Sequence, residues 1–293
     1  MLDLFKVLIK NIKQQGVKVV FKTILRRLLT PRAKSTKILK QFLSGKCGLE
    51  IGGPSHIFTW MGILPIYSIA GSIDNCNFSH NTIWEGSIRE GYNFCYSKKK
   101  PLGYQFICDA VDLSKIASNN YNFVVSCHAL EHIANPLKAL YEWKRVLKND
   151  GLIILVLPCK DTSFDHRRQV TKLPHLIEDY NKNVEEDDLA HLSEVLDLHD
   201  LNMTPEYTNY NDFKSTMENN KENRRLHQHV FDAKLVVEIM NYMEFKLYII
   251  EHMLPNNIIA VGQKTAAEVV PDNGVFLNDQ AVYRSQSPFS LDR

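Results

Sequence analysis

The chain has 293 residues, of which 44% are hydrophobic and 23% are charged, and its formal net charge is +2 at pH 7. This composition excludes a disordered or fibrous protein, and the length predicts one large domain with an elaboration or two small domains. No apolar run approaches the ~20 residues that cross a bilayer, so we expect no transmembrane helix. The N-terminus lacks the pattern of a secretory signal, and the six cysteines form no CxxC pair, which together favour a cytoplasmic location.

Residues 1–46 form a basic arm ahead of an acidic body. The arm holds 12 Lys and Arg residues against a single acid, Asp3, and its apolar residues recur at helical spacing over positions 2–30. We predict an amphipathic helix there, and two interpretations stay open. The helix either packs on its own domain or a partner subunit, or it lies on an anionic membrane surface.

The body, residues 47–264, has the pattern of an α/β protein. Its 21 basic and 28 acidic residues do not suit nucleic acid, which needs clustered basic charge, so we expect no nucleic-acid partner. Continuously apolar strands alternate with helices, which predicts a mostly parallel sheet covered on both faces. The last two strands lie close together and predict an antiparallel hairpin at the sheet edge. The predicted strands are 47–51, 66–72, 104–108, 121–126, 152–157, 246–251 and 257–262.

Two segments do not follow this alternation. Residues 160–235 are polar, rich in His and too long for a plain loop, so we predict helices within an insertion. An insertion after a late strand lies near the carboxyl edge of the sheet, where ligands bind, and we interpret it as a substrate cap. Residues 265–293 show no periodicity and are predicted to form an extended C-terminal tail.

The first predicted strand runs into two adjacent glycines, Gly52 and Gly53, which let the backbone approach a ligand closely. A pyrophosphate-binding loop would show G-x-G-x-x-G, and this chain does not. Glu50 inside the motif also disfavours phosphate and suits a cationic or hydroxyl-rich ligand. The motif taken alone is equally compatible with a tight turn that binds nothing.

Polar residues follow three further strands. Asp74 lies 22 residues after Gly52 and is predicted to close the second strand, where a carboxylate accepts hydrogen bonds from ribose hydroxyls. An Asx turn is the alternative for Asp74. Asp109 follows the third strand, and residues 126–132 follow the fourth. Because the carboxyl ends of parallel strands meet at one edge, these residues are expected to converge on one site.

These motifs carry a family resemblance. Residues 121–158 resemble the fourth strand, helix and fifth strand of class I S-adenosylmethionine-dependent methyltransferases. The segments GLEIGGPS, IDNCNF and CDAVDL precede them in the family's order, so the resemblance covers about residues 45–160. The resemblance implies a Rossmann-like α/β fold with a mostly parallel seven-stranded sheet, a late antiparallel edge strand and S-adenosylmethionine as methyl donor. Residues 164–180 and 227–231 resemble a narrower branch that accompanies glycosyltransferases in bacterial surface-polysaccharide synthesis.

The resemblance also implies a set of cofactor contacts. They are Glu50, Gly52 and Gly53 at the methionine side, Asp74 at the ribose hydroxyls, Asp109 and Ala110 at the adenine, and Ser126 and His128 beside the sulfonium and the acceptor. The family's first motif usually carries further glycines at the positions where this chain has Pro54 and His56. The course of this loop is therefore expected to differ from the common form.

A sugar hydroxyl has a very high pKa, so its methylation calls for a general base, and histidine is well suited to that role. We predict His166 with its neighbour Asp165, or His128, as catalytic residues; a helix-capping network is the alternative for the Asp165–His166 pair. Two arginines, Arg167 and Arg168, would clamp a phosphate or carboxylate of the acceptor, or pair with the acidic run at 185–188.

His227 and His229 form an H-x-H pair that we predict to contact substrate. Alternate histidines on a strand can also bind a metal, but a third ligand at a fitting sequence distance is not evident, so we expect no metal.

The sequence therefore predicts a methyltransferase that methylates an oxygen of a sugar or glycan precursor. Its first 40 residues would contact the inner membrane surface peripherally. Two alternatives stay open, namely a non-catalytic Rossmann-like scaffold of a glycan-synthesis assembly and an N- or carboxyl-methyltransferase of a small metabolite.

Overall fold

The computed structural model describes residues 31–266 and 268–289. The predicted amphipathic helix over positions 2–30 lies outside the described residues. The first described helix, Ser35–Leu43 (α1), buries Leu39 and Leu43, so the last part of the basic arm packs on its own domain. Within these ranges, no helix has both the length and the hydropathy needed to cross a membrane.

An eight-stranded sheet forms the centre of the molecule, and a separate pair of short strands lies beside it. The strands are β1 (Cys47–Ile51), β2 (Ser72–Asn77), β3 (Asn81–Thr82), β4 (Gly86–Ser87), β5 (Gly91–Phe94), β6 (Gly103–Ile107), β7 (Tyr121–Cys127), β8 (Leu147–Pro158), β9 (Phe245–Met253) and β10 (Asn257–Lys264). The helices after α1 are α2 (Ile66–Ile69), α3 (Pro136–Val146), α4 (Leu173–Lys182), α5 (Leu192–Leu198), α6 (Tyr210–Glu218), α7 (Asn220–Asn223), α8 (Ala233–Tyr242), α9 (Gly274–Leu277) and α10 (Val282–Gln286).

The strand order is β5-β6-β2-β1-β7-β8-β10-β9. The five strands from β6 to β8 are parallel, and β10 runs antiparallel to both β8 and β9. The predicted Rossmann-like α/β fold and the late antiparallel hairpin are thereby confirmed. The sheet has one strand more than predicted, because β5 adds to the far edge, antiparallel to β6. Short, half-exposed edge residues carry no apolar run, so the sequence pattern misses this strand.

The predicted strand 66–72 is wrong. Residues 66–69 form the short helix α2, and β2 begins at Ser72 and continues to Asn77. The apolar run Ile66–Ile69 packs in the core from outside the sheet. The true strand reads SIDNCN, in which the buried amide of Asn75 is satisfied by hydrogen bonds to Gly53 and Gln105 rather than by apolar packing.

Hydrophobic cores cover both faces of the sheet. The alternation along β8 shows why its sequence is continuously apolar, since Ile153 and Leu155 face one core while Ile154 and Val156 face the other. Helices α3 and α8 cover the first face, and α1 and α2 cover the second. Helix α3 begins at Pro136, where the Asn135 side chain accepts a hydrogen bond from the Lys138 N–H.

The chain between β8 and α8 folds into short helices, as expected for residues 160–235, and we keep the name cap for this segment. The cap has a small core of its own, made of Val195, Phe213, Met217 and Leu226. The predicted extended tail is wrong for residues 274–289. They form α9 and α10 and bury Tyr283 and Phe289, because Asn273 anchors the segment through hydrogen bonds to the backbone of Phe245 and Leu247.

Candidate active site

A cavity of about 780 Å³ lies between the carboxyl ends of the parallel strands and the cap. It lies beside β1 and β7, between which the strand order reverses. Open α/β sheets bind ligands at such a topological switch point. Its walls come from the loop after β1, from the ends of β2, β6 and β7, and from the cap. The predicted site residues in these walls are Gly52, Asp109, Ala110, His128 and His227.

The loop after β1 is held by hydrogen bonds from the strand beside it. Gly52 has a φ of +79°, which glycine adopts at little cost. The Gly53 N–H donates to Asn75 Oδ1 at 3.0 Å, and Asn75 Nδ2 donates back to the Gly53 carbonyl at 3.0 Å. A Cβ on Gly53 would lie 2.2 Å from the carboxyl carbon of Glu50, so only glycine fits at that position.

Glu50 lies beneath this loop, fully buried, and not in the cavity wall. Its carboxylate accepts hydrogen bonds from the Ser55 N–H at 2.9 Å and from the Tyr67 hydroxyl at 2.7 Å. Burial raises the pKa of Glu50 to about 7, although these two hydrogen bonds lower it. Glu50 and Gly53 thus shape the loop, while Gly52 and Ser55 present it to the cavity.

Asp74 does not close the second strand, which contradicts the prediction. It pairs with Leu49 within β2, and its carboxylate accepts hydrogen bonds from the Tyr104 N–H and the Tyr121 hydroxyl, both at 2.7 Å. Asp74 therefore lies in the interior of the strand and not in the cavity wall, because the strand continues for three residues beyond it.

Asn77 occupies the strand end at which the sequence analysis expected Asp74. It is buried, lines the cavity and donates a hydrogen bond from Nδ2 to the Gly53 carbonyl at 3.1 Å. Its Oδ1 has no hydrogen-bond partner within the described part of the chain. Sequence reasoning missed Asn77 because the strand boundary was placed five residues too early.

Asp109 and Ala110 line the cavity at the end of β6, and Arg224 of the cap contacts Asp109. Arg224 donates to Asp109 at 2.8 Å and to Glu186 at 3.0 Å, and its guanidinium stacks over the Phe78 ring at 4.9 Å. Burial raises the pKa of Glu186 to about 7, although Arg224 lowers it. Arg224 thus joins the cap to the strand ends, which no spacing in the sequence indicates.

The two residues predicted beside the sulfonium lie in different environments. Ser126 is buried inside β7 between β1 and β8, and it is not in the cavity wall. His128 lines the cavity with a φ of +49°, and its Nε2 lies 3.0 Å from Asn257 Oδ1.

The cap contributes a histidine–carboxylate pair. His227 lines the cavity, and its Nδ1 lies 2.5 Å from Oδ2 of the buried Asp165. Arg168, itself 1% exposed, donates to Asp165 Oδ1 at 3.1 Å. Burial alone would raise the pKa of Asp165, but His227 and Arg168 together lower it to about 2, so the carboxylate is ionised. Arg168 is therefore a buried support of Asp165 and not an acceptor clamp.

His166 and Arg167 lie outside the cavity wall, contrary to their predicted roles. Both face Asp200, with Arg167 at 3.2 Å and the His166 ring at 3.7 Å. The turn at residues 163–166 directs Asp165 inwards and His166 outwards, since the Ser163 hydroxyl accepts from the Asp165 N–H. Of the predicted Asp165–His166 pair, only the carboxylate faces inwards.

Glu131 and His132 complete this wall of the cavity. The His132 ring lies 4.4 Å from the His227 ring, centroid to centroid. Both carboxylate oxygens of Glu131 are buried without a hydrogen-bond partner among the described residues, and burial raises its pKa. Glu131 is not among the residues predicted from the sequence, because nothing in its spacing marks its carboxylate as facing a cavity.

The fold and the cavity together define a Rossmann-like α/β domain whose strand ends border a ligand-sized cavity and carry no pyrophosphate loop. The sequence model of a methyltransferase-domain family matches residues 90–155, which run from β5 into β8. Over these residues the chain is similar to a methyltransferase domain, which bears out the predicted enzyme class and methyl donor, S-adenosylmethionine, at this coarse level. The narrower polysaccharide branch is not supported by this match.

Solved structures with a similar fold include two S-adenosylmethionine-dependent methyltransferases. The Aquifex aeolicus protein is 14% identical, with 81% of this chain and 92% of that chain covered and a TM-score of 0.42. The Methanosarcina mazei protein is 13% identical, with 78% and 97% covered and a TM-score of 0.42. A [4+2]-cyclase is 10% identical, with 79% and 81% covered and a TM-score of 0.43. Likeness at this level does not identify a reaction or a substrate.

No curated protein is similar enough to this sequence to count as a relative.

Proposed function

We propose that this chain is an S-adenosylmethionine-dependent O-methyltransferase in which His227 is the general base. The observation that carries the proposal is the contact between His227 Nδ1 and Asp165 Oδ2 at 2.5 Å. With Nδ1 directed at a carboxylate, the ring keeps Nε2 for a second partner, and the ring lines the cavity. A base oriented by a buried carboxylate is the arrangement that activates a hydroxyl group.

The reaction needs little more from the protein than alignment and one proton transfer. The acceptor oxygen attacks the methyl carbon, the carbon–sulfur bond breaks, and its electron pair stays on sulfur to give S-adenosylhomocysteine. The hydroxyl proton passes to His227 Nε2. Asp165, held ionised by its neighbours, then stabilises the imidazolium.

The donor would occupy the side of the cavity formed by the strand ends. We assign Gly52, Asn77, Asp109, Ala110 and His128 to that side, since each lines the cavity at the end of a sheet strand. Asn77 Oδ1 is the acceptor for a ribose hydroxyl, because it is buried without a partner among residues 31–266 and 268–289.

The acceptor proposed here is a sugar or glycan hydroxyl. The cavity wall also carries the aromatic side chains of Trp84, from the β3–β4 turn, and Tyr207, from the cap, together with Arg225, which pairs with Glu206 at 3.1 Å. Flat aromatic faces with polar groups beside them suit a sugar ring, whose two faces are apolar and whose rim carries hydroxyls.

The test compares His227→Gln with His166→Gln, a cap histidine of similar chemistry outside the cavity wall. Each protein is incubated with labelled S-adenosylmethionine and a panel of nucleotide sugars, oligosaccharides, amines and carboxylic acids, and S-adenosylhomocysteine binding is measured by calorimetry. We expect transfer to a hydroxyl acceptor that falls by ~10²–10⁴-fold in His227→Gln alone, with binding retained in both variants. Transfer to amines or acids only would favour the N- or carboxyl-methyltransferase, and a folded protein that binds no S-adenosylhomocysteine would favour the scaffold.

We also propose peripheral contact of the N-terminal arm with anionic lipid, supported by the 12 basic residues among the first 46. Because Leu39 and Leu43 belong to the core, the fitting truncation removes residues 1–30 and leaves α1 intact. Loss of binding to phosphatidylserine vesicles is expected on truncation, and equal binding by both chains would contradict the proposal.

A further inference from the structure

We propose that the cap binds a divalent transition-metal ion through His175, His191 and His229. The three histidines come from α4, from the residue before α5 and from the segment before α8. One ligating nitrogen of each lies within 4.8 Å of the other two. The site is separate from the cavity, since none of the three lines its wall.

The distance between the first two ring nitrogens fits one edge of a tetrahedral site, and a carboxylate lies beside it. Ligands at 2.0–2.1 Å from a tetrahedral zinc ion are about 3.3 Å apart. His175 Nε2 lies 3.0 Å from His191 Nε2, and 3.4 Å from Asp179 Oδ2. Asp179 follows His175 by four residues on α4, so both side chains lie on the same helix face.

The surroundings orient the rings as metal ligands require. His229 Nε2 lies 3.2 Å from the Ala134 carbonyl and donates to it, which leaves the lone pair on Nδ1. That Nδ1 is buried without a partner among the described residues. The Nδ1 of His191 lies 3.7 Å from the Glu194 carboxylate, so its Nε2 faces the other two rings. Both patterns are those that fix the tautomer of a ligating imidazole.

Asp179 supplies negative charge beside the three histidines. Its Oδ2 is buried, has no hydrogen-bond partner within the described chain and lies 3.9 Å from His229 Nε2. Three neutral imidazoles, with water in the fourth position, form a donor set typical of zinc and neighbouring divalent metals. The ion would tie three cap segments together, and the third of these carries His227 to the cavity.

The experiment measures zinc content and the visible spectrum of the Co²⁺-loaded full chain. After removal of metal with a chelator and reconstitution, we expect about one zinc ion per chain, a tetrahedral Co²⁺ spectrum and a rise in the unfolding temperature. The variants His175→Gln and His191→Gln should each fail to bind the ion and should show no rise in unfolding temperature. Their control is His166→Gln, whose side chain is 34% exposed, compared with 39% for His175.

His175 is partly exposed, so its variant is expected to fold, and circular dichroism checks this. A folded wild-type chain that binds no zinc after reconstitution would overturn the proposal. Zinc that stays bound at the wild-type level in both His175→Gln and His191→Gln would also overturn it, because the ion would then lie elsewhere, for example at Glu131, His132 and His227.

Discussion

Asp74 and Asn77 lie only three residues apart in β2, yet their side chains have different roles. Asp74, inside β2, accepts hydrogen bonds from Tyr104 and Tyr121, whereas the buried Oδ1 of Asn77 has no hydrogen-bond partner among the described residues and lies at the cavity. Motif spacing pointed to Asp74 because it fixes distance along the chain. It does not fix where a strand ends. Because β2 ends in polar residues, its apolar pattern does not mark that end.

We expect Asp74→Ala to lower stability and leave S-adenosylhomocysteine binding unchanged. The Tyr121 hydroxyl and the Tyr104 N–H would lose their acceptor, at a cost of about 1–3 kcal/mol in the free energy of unfolding. Asn77→Ala should instead weaken binding by ~10-fold, or about 1.4 kcal/mol. Denaturant titration and calorimetry measure the two effects. Weaker binding in Asp74→Ala with full binding in Asn77→Ala would reverse the assignment.

Asp165→Asn tests whether the carboxylate acts through His227. The change removes the charge that stabilises the imidazolium, so we expect kcat to fall by ~10²-fold or more while donor affinity is kept. Its control is Glu194→Gln, which removes the other carboxylate of Arg168 at 3.2 Å and does not contact His227. Equal kcat losses in the two variants would show that the effect comes from the Arg168 network and not from the base.

Among the elements, the apolar strands were predicted well and the polar or marginal ones were not. β1, β7 and β10 begin at the predicted residues, because burial on both faces demands a continuous apolar run. β5 and the tail helices follow no such rule. β5 is short and at an edge, and the tail is held by the side chain of Asn273, whose partners lie far away in sequence.

The sequence identified functional residues of the cap by their residue type, but it did not show which of them lie together in space. The sequence indicated Asp165 and His227 separately, 62 residues apart, but nothing in it shows that the two meet. Likewise, the H-x-H pair lacks a third ligand in sequence, and folding brings His175 and His191 to His229. Long-range side-chain contacts of this kind depend on how the cap helices pack, which local patterns do not encode.

The contact between cap and strand ends predicts a shared effect on binding and stability. Arg224→Gln would leave Asp109 and the buried Glu186 without their cation, so we expect weaker S-adenosylhomocysteine binding and a loss of about 1–3 kcal/mol in unfolding free energy. The control is the neighbouring Arg225→Gln, which breaks the pair with Glu206 and the contact with the Tyr207 ring but leaves Asp109 and Glu186 with their cation. Calorimetry on both variants checks this, and unchanged binding in Arg224→Gln would contradict it.

At the scale of the whole molecule, buried titratable groups set the dependence of stability on pH. Glu50 holds its proton in the folded state up to about pH 7, against 4.5 when unfolded, so its contribution is lost as pH rises through this window. Burial lowers the pKa of His199 to about 4, against 6.5 when unfolded, so its contribution is lost as pH falls through that range.

We therefore expect Glu50→Gln to remove a decline on the order of 3 kcal/mol between about pH 4.5 and 7. His199→Gln should flatten the opposite slope between about pH 6.5 and 4. Denaturant titrations at several pH values measure both slopes. Glu218→Gln, at an exposed position, is the control and should keep the wild-type curve. An unchanged slope in Glu50→Gln would contradict the burial of a protonated carboxyl.

The position of the cap within the chain has a consequence for how the sheet assembles. Pro158 pairs with Asn257 at the start of the β8–β10 ladder, so that ladder closes a loop of about a hundred residues. The entropic free-energy cost of closing a loop grows with the logarithm of its length, by about 0.6 kcal/mol for each doubling. A cap that first collapses around Phe213 and Leu226 shortens the effective loop. The segment to which we assign acceptor recognition is thereby expected to lower the kinetic barrier to completing the sheet as well.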